Sequence, residues 1–264
     1  VTGAVVPAMR VFALAFVALV GGLATLAVSR SRRVGRAGPG LGVGGLALAG
    51  IAACVGFTTY YLAEYPSYQR AHPRATLASL PPVTAALLAV VLAGCLWLAL
   101  APPRWLVASP HAWRFGIAMA IALAAGLVLD SRQDLRQAMG GGVMEYLLNG
   151  PLLVVLTGSA AAAAVGRSFR SGLRACAWAI VLGAPLLVAA WLAEALHWYQ
   201  QGRGMLLDGE GGIGVGANLG DAVWWTLPFL LVWALPLGVL GAAVGSARAR
   251  RRRAREHGDL ASTT

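Results

Sequence analysis

Apolar residues in this chain come in long unbroken blocks, with the polar residues gathered between them. Seven blocks run Val11–Val28, Leu41–Leu62, Leu77–Leu100, Phe115–Leu129, Tyr146–Val165, Ala175–Trp198 and Val223–Val244. The fourth is short, and Trp113 extends it at its start. Continuous blocks of this length predict helices that cross a bilayer, which takes about 20 apolar residues each. The expected fold is therefore all-α: a polytopic transmembrane bundle of seven spans over residues 1–246. A basic cytoplasmic tail without regular structure is expected over 247–264.

Charge orients the spans. The segments after the first, third and fifth blocks, together with the tail, hold fifteen Arg against only Glu256 and Asp259. The other side holds six Arg against eight acids, and all six tyrosines lie there, as an interfacial aromatic belt would. Cytoplasmic loops collect Arg and Lys, so the expected topology is N-terminus outside and C-terminus inside. The first block, preceded by Met9-Arg10, also fits a secretory signal. Arg30, Arg32, Arg33 and Arg36 follow it directly and favour a retained span.

Composition agrees. Hydrophobic residues make up 58% and charged residues 12%, about half the charged share of a soluble domain. Every one of the 21 basic residues is Arg. With the abundance of Ala, Gly, Val and Leu, this reads as the codon bias of a high-GC bacterial genome and predicts a bacterial cell-membrane location. The absence of Lys excludes a Schiff-base ligand such as retinal. A net charge of +11 invites nucleic acid, but the arginines sit against the spans, so no nucleic-acid partner is expected.

The first and last three spans would run in the same directions around a central fourth, a three-one-three parallel repeat. Leu62-Ala63-Glu64 and Leu192-Ala193-Glu194 support it, each followed by a Tyr-Gln pair, at Tyr68-Gln69 and Tyr199-Gln200.

Candidate chemistry is sparse. Glu194 and His197, three apart on one helix, share a face and form a candidate ligand or proton site. Glu64 stands at a comparable place on the second span. These groups either form ion pairs at the membrane interface or rim a vestibule for a cationic solute. Asp130, Arg132, Asp134 and Arg136 alternate in sign and read as a solvated segment, helical or extended. Pro185, Pro228 and Pro236 fall inside the sixth and seventh spans as candidate helix breaks. Cys54, Cys95 and Cys176 form no C-x-x-C pair and read as packing residues, so no metal and no cofactor is expected. Gly209-Glu210-Gly211-Gly212-Ile213-Gly214 matches a dinucleotide fingerprint only in letters, because no βαβ unit surrounds it. Gly241 and Gly245, and the alanines 160–164, allow helices to approach closely.

Arg248, Arg250, Arg251, Arg252, Arg253 and Arg255 follow the last span and predict contact with anionic lipids at the cytoplasmic face. A membrane or cytoplasmic protein partner fits the same surface. Three functions suit these features. The first is a permease-like protein or transport-complex subunit with a cavity lined by Pro185, Pro228, Pro236 or Trp191. The second is an anchoring, sensory or assembly protein acting through a partner. The third is an intramembrane enzyme using Glu194 and His197.

Overall fold

The computed structural model describes residues 40–71, 80–109, 111–137, 142–200 and 215–262. The helices are α1 (Gly40–Ala71), α2 (Leu80–Leu100), α3 (Arg104–Val107), α4 (Ala112–Gln137), α5 (Gly142–Val165), α6 (Phe169–Gln200), α7 (Val215–Pro228) and α8 (Leu235–Ser262). A π-helical turn, Phe229–Ala234, joins α7 to α8. Among the described residues there is no strand. The first predicted span, His72 and the glycine run 202–214 lie outside the described residues.

Among the described residues, three segments are long and apolar enough to cross a membrane: Ala112–Leu129, Phe169–His197 and Ala222–Glu256. Shorter apolar helical runs cover Gly45–Tyr60, Ala86–Leu100 and Leu153–Val165. The alternating charges from Asp130 to Arg136 continue α4 as helix, not as an extended segment.

Residue pairs fix the direction of each helix. Gly116 lies against Trp178, Leu123 against Gly183, and Ser131 bonds Glu194, so α4 and α6 run parallel. Gly241 lies against Leu156 and Gly245 against Ala160, so α5 and α8 also run parallel. Gly172 against Ala242 and Cys176 against Gly238 set α8 antiparallel to α6. The indole Nε1 of Trp178 donates to the Leu106 carbonyl at 3.3 Å, which brings α3, a few residues past the end of α2, to the start of α6. We call this the proximal end, and the opposite one, where α4 and α6 finish, the distal end.

α6 is the centre of the bundle. Trp178, Leu182, Val188, Trp191 and Leu192 are all buried on it, because a helix apolar all round is stable only when other helices surround it. By contrast, Val90, Leu129, Leu153, Leu231, Trp233 and Val244 lie exposed on the outer helices. A soluble protein rarely displays apolar surface of this extent, whereas in a bilayer it is the solvated side.

Helix α6 runs through Pro185, a candidate helix break, without interruption. Proline removes one backbone donor, but packing on every side holds the helix, and the Cys54 thiol donates to the Pro185 carbonyl at 2.8 Å. The tail, expected without regular structure, continues α8 as helix to Ser262. Alanine and arginine are among the better helix formers, and the run from Ala247 to His257 holds neither glycine nor proline.

The turn from α5 to α6 is a Schellman cap. Ser168 N donates to the Ala163 carbonyl at 3.0 Å and Arg167 N to that of Ala164 at 3.3 Å. Arg167 occupies the left-handed position with φ 48°, where glycine is the usual residue. Arg167→Gly is expected to stabilise the purified protein by about 1 kcal/mol by relieving that backbone. A thermal melt in neutral detergent measures it, and an unchanged or lowered midpoint contradicts it.

Candidate functional site

Buried polar side chains occur in both halves of the bundle: Thr58, Thr84, Ser131 and Glu194 toward the distal end, and Ser109, Ser159, Ser171 and Ser246 toward the proximal end. The one buried carboxyl group among the described residues is on the distal side. Glu194, in the last turns of α6, is 3% exposed. Its Oε2 accepts a hydrogen bond from the Ser131 hydroxyl at 2.7 Å, across from α4. Ser131 itself is fully buried, and its hydroxyl also lies 3.3 Å from the Val128 carbonyl. The α4 helix delivers Ser131 there because Leu127 and Leu123, one and two turns earlier on the same face, are buried against the core.

Trp191 precedes Glu194 by three residues and is 1% exposed, yet its indole Nε1 has no hydrogen-bond partner. The same holds for the hydroxyls of Thr58 and Thr59 on α1 and of Thr84 on α2. Register places them at similar depth. Cys54 meets Pro185, so Thr58 stands about 6 Å and Trp191 about 9 Å farther toward the distal end, at 1.5 Å per residue. Thr84 lies in the second turn of α2, which starts distally. A buried donor left unpaired costs about 1–3 kcal/mol. Of the five such side chains among the described residues these four lie toward the distal end, and the fifth, Ser159, lies toward the proximal end.

The proximal half is built differently. On α8, Gly238, Gly241 and Gly245 form a seam on which α5 and α6 rest backbone to backbone. A Cβ at Gly241 would fall on the Leu156 carbonyl oxygen, one at Gly245 on that of Ala160, and one at Gly238 on the Cys176 sulfur. The Cys176 thiol reaches the Ala234 carbonyl at 3.5 Å, at the end of the π-helical turn. Pro228 immediately precedes that turn and Pro236 follows it by two residues. A π-helical turn is often found where a helix serves a function.

Of the residues singled out from sequence, Glu194 is enclosed by the bundle. His197, one turn farther, is partly exposed. Glu64 lies on α1, and its side chain is outside the described residues. Among the described residues, no three His, Cys, Asp or Glu gather as metal ligands. Ser131 was not foreseen, since its neighbours Asp130 and Arg132 mark a solvated segment. The signal that points to it is its place one turn beyond the apolar Leu127. Thr58, Thr59 and Thr84 carry no sequence signal in an apolar helix.

Comparison with known family models, curated proteins and solved structures finds no match to this chain.

Proposed function

We propose that this chain is a multi-pass protein of a bacterial cell membrane that works as a permease or as the permease-like subunit of a transport complex. In this reading seven spans cross the bilayer, with the N-terminus outside, the C-terminus in the cytoplasm and the distal end facing out. The described arginine side chains, from Arg104 to Arg255, all belong to the proximal end and its helical extension, in keeping with the rule that basic residues stay inside. The three-one-three repeat would pair the second span with the sixth, that is α1 with α6.

The observation that carries the transport reading is Glu194, a carboxylate enclosed by helices on the distal side. Ionisable groups inside a bilayer are costly and mark solute or ion pathways. The unpaired donors on α1, α2 and α6 add polar contacts at the same level. The tight glycine seam beneath them makes a seal on the cytoplasmic side. In this reading the bundle is a carrier at rest, with its carboxyl group above and its close-packed seam below. Glu194 is the group that would contact a cationic solute, and the π-helical turn between Pro228 and Pro236 is the flexible joint beside the seal.

Cysteine labelling tests this. With Cys54, Cys95 and Cys176 replaced by alanine, single cysteines at Thr58, Thr84 or Ser131 should react with a membrane-impermeant thiol reagent added outside whole cells. A cysteine at Ser159, in the seam, should not. Silence at all three distal positions means a dry, closed bundle and removes the transport reading.

A further inference from the structure

We propose that the start of the arginine run on α8 and the α5–α6 turn together form a binding site for the headgroup of an anionic phospholipid. The seam of α8 repeats at three- and four-residue steps: Gly238, Gly241, Gly245. The same steps continue to Arg248 and Arg252, so both arginines face the side on which α5 packs. Helix α5 ends at Val165, so beyond it this face has no helix to meet. With Gly245 level with Ala160 and the two helices parallel, Arg252 comes level with Arg167.

Arg167 is exposed at the tip of the α5–α6 turn, at the left-handed position where its backbone is strained. A glycine would suit that position better, and the sequence places one immediately before it, at Gly166. Arg170, also exposed, stands in the first turn of α6. That turn is brought against α8 by the contact of Gly172 with Ala242, and it directs helix N-terminal N–H groups into the same corner. Three backbone elements, the α5–α6 turn, the first turn of α6 and α8, therefore each carry arginine at the proximal end. Glu256, exposed one turn past Arg252, limits the basic surface to the first turns outside the bundle.

The occupant follows from depth. The apolar part of α8 ends at Val244, so Arg248 lies about 6 Å and Arg252 about 12 Å beyond it, at the level of phosphates in a bilayer. Arginine recognises phosphate through paired N–H donors. A nucleic acid or an acidic protein would suit arginines farther along the helix, but these lie where headgroups already are. The inference rests on the membrane placement proposed above, with the proximal end at a bilayer surface, but not on transport.

The test uses the full chain in neutral nanodiscs, with phosphatidylglycerol titrated against phosphatidylcholine, inorganic phosphate and a short DNA duplex. Phosphatidylglycerol alone should raise the thermal midpoint. The double variant Arg167→Gly/Arg252→Gln should bind it about 25-fold more weakly, at about fivefold per arginine. Arg250→Gln/Arg253→Gln removes the same charge from the other faces of α8 and should change the affinity far less. Melting of each variant in phosphatidylcholine alone reports folding separately. Equal losses in both double variants overturn the site in favour of diffuse attraction. Equal response to free phosphate or to DNA overturns the lipid as its occupant. Distal cysteine labelling is read independently, so either proposal can fail while the other stands.

Discussion

Leucine at Gly241 or Gly245 should break the packing of α8 on α5 and cost the folded protein about 3 kcal/mol. The reason is backbone contact. A Cβ at either position would land on a carbonyl oxygen of α5, at Leu156 or Ala160, and the backbone of a packed helix has little room to yield. Even alanine should be costly there, although alanine favours a helix by about 1 kcal/mol over glycine in an ordinary position. Gly94 on α2 provides the contrast, with nothing within 4 Å of its would-be Cβ. Gly94→Ala should be neutral or mildly stabilising. Unfolding titrations in mixed micelles measure all of these. If Gly245→Ala proves as harmless as Gly94→Ala, the close seam is wrong.

The second large effect is expected at the buried carboxylate, and its size depends on whether one partner or both are removed. Ser131→Ala takes away the hydroxyl that donates to the enclosed Glu194 side chain and should cost about 2 kcal/mol. Removing both groups with Ser131→Ala/Glu194→Leu should recover that loss and leave the stability at or slightly above wild type, because replacing both partners by apolar groups leaves neither unpaired. A residue whose loss costs the fold nothing is kept for another reason. The same double variant should therefore abolish solute flux in reconstituted vesicles while melting at or above the wild-type temperature. Lower stability in the double variant than in Ser131→Ala would show instead that the carboxylate is a structural group.

The helical character of the chain was legible because the blocks are continuous and long, and a helix satisfies its polar backbone within one such block, where a closed barrel needs short alternating strands. Charge sorting was legible for a similar reason, since arginine cannot easily enter the apolar layer and its position in the text is its position in depth. Gly241 and Gly245 also declared themselves, through spacing alone. Glu194 was less clear. Near Trp198 at the end of a span it reads as interfacial, and its distance from solvent depends on how far α4 reaches alongside α6.

Sequence by itself determined that this protein is made of apolar helices, which of its segments carry positive charge, and where small residues let helices meet. Each of these is set by residue type and local spacing, which need no neighbour to be read. Tertiary structure alone decided that α6 is the central helix, that Ser131 bonds Glu194, that Pro185 leaves its helix unbroken, and that Gly245 meets Ala160. These depend on which helix lies beside which and in what register, and apolar helices of similar composition offer many nearly equivalent pairings. Close backbone approach at the glycine seam fixes one of them, and the polar and basic clusters follow from that choice.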